Sequence, residues 1–184
     1  MAHEGDVIQV LETDHREVRD MWAQVQALPK TDPKRRELAD DIIKELVRHS
    51  IAEETYVYPA VREKFPDGDA IADKETAEHA EAERTMKDLE GLEHTDPQFD
   101  ALVTHLMTTI EEHIRDEESN LFPTLRSLST QEELDELATK VNNIKKIAPT
   151  RPHPAAPDSP LSHKLLGPDV GLVDRARDLF SSRG

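Results

Sequence analysis

The segment HSIAEETYVYP, residues 49–59, recurs 64 positions later as HIRDEESNLFP, residues 113–123. Both copies have a histidine followed four residues later by a glutamate, and both end in proline. Other pairs with the same offset include His15 with His79, Asp32 with Asp96 and Pro33 with Pro97. The repeat predicts two helical hairpins that are adjacent in the sequence and pack with pseudo-two-fold symmetry.

Apolar residues spaced three and four apart predict four long amphipathic helices. These helices are expected over about residues 6–28, 32–65, 69–93 and 96–128. The second and the fourth begin at an Asp-Pro pair, which supplies an N-cap and a proline in the first turn. Pro59 is expected to kink the second helix or to end its regular part, because proline cannot donate a main-chain hydrogen bond.

A fifth helix and a tail follow the repeat. Thr130 and Glu133 are spaced as a capping box, which predicts a helix that stops before Pro149. Half of the 12 prolines lie between positions 149 and 168, so this stretch is expected to be a semi-rigid linker. A short amphipathic segment after it is expected to dock on the bundle or on another subunit, allowing self-association. We therefore expect a helical domain over residues 1–148 and a linker with a short tail helix over residues 149–184.

The composition favours an all-α fold and excludes several partners. Charged residues make up 34% and glycines number six, which suits an up-down four-helix bundle with polar outer faces. A net charge of −16 would repel nucleic acid and anionic lipid surfaces, so neither is expected as a partner. The lack of cysteine excludes disulfides, iron–sulfur clusters and thiol catalysis. No signal peptide or membrane-spanning segment is recognised, and a cytoplasmic location is expected.

Six polar residues interrupt the inward-facing apolar stripes: His15, His49, Glu53, His79, His113 and Glu117. A lone histidine in a helix stripe is usually structural, but this set recurs at a fixed offset on four inward faces. Buried imidazoles and carboxylates are costly unless they have partners. Two metal ions would satisfy them if each took two imidazoles and the two glutamates bridged the pair.

An acidic residue on the third predicted helix is a candidate seventh ligand. Glu75 lies one turn before His79, at a core position where the first copy of the repeat has Leu11. As a ligand it would complete the coordination of one metal and leave the other with an open position. Glu83, one turn after His79, is the alternative, although it lies further from the inward stripe.

Two tyrosines follow the first His-x-x-x-Glu motif. On a regular helix Tyr56 shares the face of His49 and Glu53, so its phenol could hydrogen-bond a bound oxygen species or bind a metal. Tyr58 corresponds to Phe122 in the second copy and is expected to serve in packing.

The lone histidine in the first helix, the two quoted segments and EHAEAE, residues 78–83, together resemble the hemerythrin-like, HHE cation-binding domain. The resemblance covers about residues 6–128. It implies two iron ions, oxo- or hydroxo-bridged, bound by the six residues named above. Oxygen carriers of this family have two histidines one turn apart in the third helix, and here the earlier position is Glu75. An anionic ligand stabilises ferric iron, which disfavours reversible oxygen carriage.

Three classes of function are compatible with such a centre. The first is a di-iron protein that reacts with hydrogen peroxide, nitric oxide or dioxygen in oxidative or nitrosative stress defence, with catalase-like or peroxidase-like activity if it is an enzyme. The second is a module that binds, stores or senses oxygen or iron without turnover. The third is a structural bundle around zinc, since histidine and carboxylate also suit zinc and manganese. Glu75 favours the first class.

Overall fold

The computed structural model describes residues 3–148 and Arg151, and its regular structure is entirely helical within that range. Seven α-helical segments follow one another: α1 (Val7–Ala27), α2 (Lys34–Ala52), α3 (Tyr58–Lys64), α4 (Gly68–Leu89), α5 (Phe99–Asp116), α6 (Phe122–Leu128) and α7 (Gln131–Ile147). Two π-helical turns, Glu53–Val57 and Glu117–Leu121, join α2 to α3 and α5 to α6. The predicted four-helix bundle with a fifth helix is confirmed, whereas the predicted linker and tail lie outside the described residues.

The predicted capping box begins α7, whereas α2 and α5 begin at Lys34 and Phe99, after the predicted N-caps Asp32 and Asp96, and have no side-chain N-cap. The hydroxyl of Thr130 accepts a hydrogen bond from the N–H of Glu133 at 3.2 Å, and the Glu133 carboxylate accepts one from the N–H of Thr130 at 2.8 Å. The carboxylates of Asp32 and Asp96 each accept a hydrogen bond from the main-chain N–H two residues later, at 2.9 and 2.8 Å. These contacts satisfy N–H groups that would otherwise be unpaired at a helix start.

Glycines determine both ends of α4. At Gly68 a Cβ atom would lie 2.3 Å from the carbonyl oxygen of Val61, so only glycine lets α4 start this close to α3. The helix ends at Leu89, before the predicted end near residue 93. Gly91 explains the early stop, since its φ of +82° is a left-handed conformation that ends helices.

The predicted interruption at Pro59 is a π turn, and Pro123 has the same effect in the second copy. The N–H of Tyr58 bonds the carbonyl of Glu53, five residues back, and the N–H of Phe122 likewise bonds the carbonyl of Glu117. A proline ring clashes with the carbonyl four residues before it, and the wider turn relieves that clash. Each turn therefore begins at the glutamate of a His-x-x-x-Glu motif.

Two apolar clusters lie on either side of a polar layer. One contains residues of α1, α2, α4 and α5 such as Val25, Ile42 and Leu106, and the other contains residues such as Leu11, Val61 and Leu134. Along α1 and α4, the metal-ligand candidates separate the members of one cluster from those of the other. Helix α7 covers α1 and α2. Among the described residues, no helix has the length and apolar composition that crossing a bilayer requires.

Candidate metal centre

The structure brings the six predicted polar residues together in the layer between the apolar clusters. None of their side chains is more than about one-tenth exposed, and the two glutamates are fully buried. The four histidines form two pairs. Nε2 of His15 lies 3.3 Å from Nε2 of His49, and Nε2 of His79 lies 3.2 Å from Nε2 of His113.

A second carboxylate holds the outer nitrogen of each imidazole. The four Nδ1 contacts are His15 to Glu118 at 3.0 Å, His49 to Asp14 at 3.0 Å, His79 to Glu54 at 3.1 Å and His113 to Glu78 at 2.9 Å. The carboxylate accepts a hydrogen bond from Nδ1–H, which leaves the lone pair of a neutral ring on Nε2 and directs it into the bundle. Each contact also joins two different helical segments, so the ring orientations depend on the whole bundle.

Glu53 and Glu117 lie between the two histidine pairs. Oε2 of Glu53 is 3.0 Å from Nε2 of His49 and 3.5 Å from Nε2 of His79. Oε2 of Glu117 is 3.4 Å from Nε2 of His15 and 3.4 Å from Nε2 of His113. Each glutamate therefore contacts one histidine from each pair, which is the position that a bridging carboxylate requires.

The donor set fits a pair of metal ions. Two nitrogens bound to one ion at about 2.1 Å are separated by about 3.0–3.4 Å at angles near 90–110°. Both measured Nε2 separations lie in this range. In addition, Oε1 of Glu53 and Oε2 of Glu117 are buried without a hydrogen bond of acceptable geometry. Unpaired carboxylate oxygens and facing lone pairs would destabilise an interior that held no cation.

The electrostatic field at the centre is strongly negative. Burial alone would lower the pKa of His49, but Glu53 and Asp14 outweigh burial and raise it to about 10. Burial alone would likewise raise the pKa of Glu53, whereas His49 and His79 hold it well below the ordinary value. The neighbouring carboxylates also raise the pKa of His113. In the metal-free geometry the carboxylates thus draw protons onto the imidazoles, and they would favour metal cations in the same place.

Tyr58, which the sequence assigns to packing, reaches the centre. Its fully buried hydroxyl lies 3.2 Å from Nε2 of His79, 3.3 Å from Oε1 of Glu117 and 3.5 Å from Oε2 of Glu53. Burial and the nearby carboxylates raise its pKa well above the ordinary value, so the phenol keeps its proton. Tyr56 is half-buried and packs against the apolar cluster that contains Leu11.

The prediction that favours Tyr56 assumes a regular α-helix, and the π turn explains why Tyr58 reaches the centre instead. On an α-helix, residues three apart lie about 60° apart around the axis, and residues five apart about 140° apart. The wider π turn between Glu53 and Tyr58 brings these two residues toward the same face. Pro59 is the sequence signal that would have indicated this change, since a proline at that spacing disrupts regular α-helical hydrogen bonding.

The aromatic residues make the two halves of the centre unequal. The ring of Tyr58 stacks on His79 with centroids 5.5 Å apart, and the ring of Phe122 stacks on His15 at 5.7 Å. These contacts are related by the repeat, but only the first brings a hydroxyl. The His79–His113 half therefore has a proton donor that the His15–His49 half lacks.

The structure distinguishes the two candidates for a seventh ligand. Glu75 is buried, and its Oε2 lies 3.0 Å from Nδ1 of His113, on the outer side of that ring. Glu75 also forms a possible ligand group with His113 and Glu117. Glu83 is buried too, but its carboxylate lies 3.4 Å from the ammonium of Lys87. Glu75 is thus the candidate beside the histidines.

Sequence reasoning did not assign a role to the outer carboxylates Asp14, Glu54, Glu78 and Glu118. The sequence contained a signal for these residues, because the repeat offset of 64 relates Asp14 to Glu78 and Glu54 to Glu118. Each of these carboxylates also immediately precedes or follows a ligand candidate in the sequence. A charged residue repeated beside a buried ligand is expected to have an orienting role.

A small cavity borders the four histidines on the side of α1, α2 and α5. Val18, Leu46, Ile110 and Ile114 form its apolar wall. It offers room for about one water-sized molecule. The cavity therefore has room for a molecule about the size of water but not for an organic substrate.

Comparisons with known proteins agree with this architecture. The family profile of the Hemerythrin HHE cation binding domain matches residues 6–125. The chain is 28% identical to an uncharacterized hemerythrin-like protein of Schizosaccharomyces pombe over 169 residues, which are 91% of this chain and 82% of that protein. A crystal structure of an HHE domain-containing protein from Mycobacterium kansasii superposes with a TM-score of 0.67 and 23% identity, covering 78% of this chain and 87% of the other.

A third relative is much longer than the matching region. The chain is 29% identical to a DNA nickase of Nostoc over 137 residues, which are 74% of this chain and 38% of the nickase.

Proposed function

Because the chain belongs to the hemerythrin HHE cation-binding domain family, we propose that its bundle holds two iron ions that react with a small oxidant. The oxidant would be hydrogen peroxide, nitric oxide or dioxygen. The main support for this proposal is that four histidines and two glutamates converge in the bundle with pseudo-two-fold symmetry. Defence against oxidative or nitrosative stress is the proposed role, and a cytoplasmic location stays a prediction.

The distances suggest which residues would hold each ion. His15, His49 and Glu117 form one group of potential ligand atoms, and Glu53, His79 and His113 form the other. Since each glutamate also contacts a histidine of the opposite pair, both would bridge. An oxo or hydroxo group derived from water would complete the bridge.

The donor set supports iron over a redox-inert metal. Mixed imidazole and carboxylate ligands suit iron, and they also suit zinc and manganese. A structural zinc site would be closed by four protein ligands around one ion. Six convergent side chains arranged about two positions instead resemble the donor sets of di-iron bundles.

When bound, the iron pair would supply redox chemistry in which one hydrogen peroxide molecule is reduced to water and a second is oxidised to dioxygen, so that no other reductant is needed. The chain's own residues would admit the oxidant and orient it by hydrogen bonding. The apolar wall formed by Val18, Leu46 and Ile110 would exclude all but small molecules. Tyr58 keeps its proton and is within hydrogen-bond distance of His79, so its hydroxyl would donate to an oxygen atom at this end of the centre. The outer carboxylates would hold the imidazoles in place throughout.

The excess of negative charge favours turnover over reversible carriage. Glu53, Glu117 and Glu75 would place three carboxylates at or beside the ions. Anionic ligands stabilise the ferric state relative to the ferrous state, and an oxygen carrier must return to the ferrous state unaided. Storage or sensing without turnover is the alternative function.

Cleavage of DNA is not proposed. The match to the nickase spans 38% of that protein, so its activity need not reside in the shared part. The net charge of −16 would also oppose binding to a phosphate backbone.

Steady-state peroxide consumption by the iron-loaded protein, measured beside oxygen release from its oxygenated form under vacuum, tests the proposal. We expect catalytic consumption and no recoverable oxygen. Stoichiometric consumption with full recovery of oxygen would instead identify a carrier.

A further inference from the structure

A surface pocket lies between the link that joins α3 to α4 and the second π turn, and Glu75 is one of its lining residues. Glu75 also lies beside His113, so one residue of this lining contacts the candidate metal centre. The other charged residues of the pocket are Asp67, Lys74 and Asp116. Three carboxylates and one ammonium group leave this pocket with a negative charge at neutral pH.

Glu75 has one carboxylate oxygen without a hydrogen bond. Its side chain is 2% exposed, and Oε1 accepts a hydrogen bond from Nζ of Lys74 at 3.0 Å. Oε2 lies 3.0 Å from Nδ1 of His113, but that nitrogen bonds Oε2 of Glu78 at 2.9 Å. A single N–H donates well to only one acceptor, and Oε2 of Glu75 is accordingly left unpaired. This buried oxygen faces His113, so a cation that reached Glu75 from the acidic pocket would find an unpaired carboxylate oxygen next to a histidine of the centre.

Lys74 is the cation that the protein itself supplies. Its ammonium group contacts Glu75 at 3.0 Å, Glu78 at 2.9 Å and Asp116 at 2.7 Å. About half of its side chain is exposed, so it can move without disturbing the core. Lys74 thus links the buried Glu75 to Glu78, which contacts His113, and to Asp116 in the pocket lining.

A second surface groove lacks such a connection. It lies between α1 and α5, and its charged residues are Glu111, Glu112 and Arg115. None of the six predicted ligands lines it, and neither does Glu75. This groove serves as an internal control for any effect of surface charge.

We propose that the pocket over Glu75 is the route by which divalent iron enters the bundle, and that Lys74 closes this route by occupying the carboxylates that the ion must pass. An incoming Fe²⁺ displaces the ammonium group from Glu75, which then delivers the ion to the histidines. This inference rests on the proposed iron centre. It adds a cation-binding position at the surface and a role for a lysine that is not a ligand.

Anaerobic uptake of Fe²⁺ by the metal-depleted full-length chain tests the route. Unbound Fe²⁺ is trapped with a chromogenic chelator at successive times, and the rate and the final stoichiometry are recorded separately. Lys74→Met should load about three to ten times faster, because removal of the positive charge leaves three carboxylates to attract the ion. Asp67→Asn should load several-fold more slowly, because it removes a charge from the pocket mouth.

Two further variants serve as controls. Lys74→Arg keeps the charge and should load at the wild-type rate, and Glu112→Gln in the other groove should also leave the rate unchanged. Wild-type rates in both Lys74→Met and Asp67→Asn, or slow loading in Glu112→Gln, would overturn the proposed route while leaving the metal centre intact. Failure of the wild-type chain to bind iron at all would overturn the centre and the route together.

Discussion

Nδ1 of His79 lies 3.1 Å from Oε1 of Glu54, and this carboxylate has no lysine or arginine partner among the described residues. Each of the other three outer carboxylates contacts a cationic side chain: Asp14 contacts Lys145, Glu78 contacts Lys74 and Glu118 contacts Arg19. A carboxylate whose charge is not shared withdraws the imidazole proton more strongly and makes the ring a better metal ligand. The four repeat-related contacts are therefore unequal in strength.

The first prediction concerns these outer carboxylates. Glu54→Gln keeps an oxygen near His79 but removes the negative charge, and we expect iron affinity to fall by about 10- to 100-fold. Competition against a graded series of chelators measures the change. Glu118→Gln is the matched control, and it should lose less affinity because Arg19 already shares the charge of Glu118. An equal loss in both variants would contradict the inequality of the two contacts.

The second prediction distinguishes the two tyrosines. Tyr58→Phe reproduces the aromatic residue of the second repeat copy, so the bundle should still bind two irons. Peroxide turnover should fall about tenfold or more, because the hydroxyl near His79 is lost. Tyr56→Phe should retain wild-type turnover. Loss of turnover in Tyr56→Phe with normal turnover in Tyr58→Phe would show that the π turn does not orient the functional phenol.

The third prediction compares the two buried glutamates of α4. Glu75→Gln removes a negative charge beside His113 and should stabilise ferrous iron, which slows autoxidation several-fold. Glu83→Gln should have a smaller effect, since the Glu83 carboxylate lies near Lys87. Stopped-flow mixing of the diferrous proteins with oxygen measures both rates. Slower autoxidation only in Glu83→Gln would identify Glu83 as the glutamate that influences the irons.

The fourth prediction is that the metal-free protein loses stability as the pH rises above neutrality. The pKa of His49 in the metal-free fold is about 10, above its ordinary value of 6.5. A raised folded-state pKa stabilises the fold fully below about pH 6.5, and this contribution is lost as the pH approaches 10. The free energy of unfolding should fall by up to about 1.4 kcal/mol per pH unit in this window for such a group.

Thermal melts of chelator-treated and iron-loaded protein across this window provide the measurement. In the loaded protein the metals occupy the imidazole nitrogens, so its melting temperature should vary less with pH. A melting temperature of the metal-free protein that rises between pH 6.5 and pH 10 would contradict the charge arrangement at His49.

The fold could be predicted because its signals are local and repeated. The offset that relates His49 to His113 indicates two hairpins, and the Thr130–Glu133 capping box marks the start of the fifth helix. The convergence of four histidines and two glutamates could be predicted from helical spacing, the inward apolar stripes and the repeat together. The helices and the inward positions of these six residues depend on the periodicity of the sequence, and the packing of the helices preserves both.

Features that depend on local departures from the regular helix were not predicted. The π turn at Glu53 rotates the following residues, so the phenol at the centre belongs to Tyr58. Contacts such as that of Lys145 with Asp14 join residues far apart in the sequence and depend on how α7 packs. The position of Glu75 in the lining of a pocket likewise requires the relative placement of α3, α4 and α5.

The metal content of the iron-reconstituted full-length chain tests the paired centre most directly. Elemental analysis against protein concentration should give two irons per chain, because the fold supplies two equivalent sets of two histidines and a glutamate. His105→Ala, which removes an exposed histidine, should keep both irons, whereas His79→Ala should bind fewer. One iron per chain in the wild type, or none after reconstitution, would contradict the account.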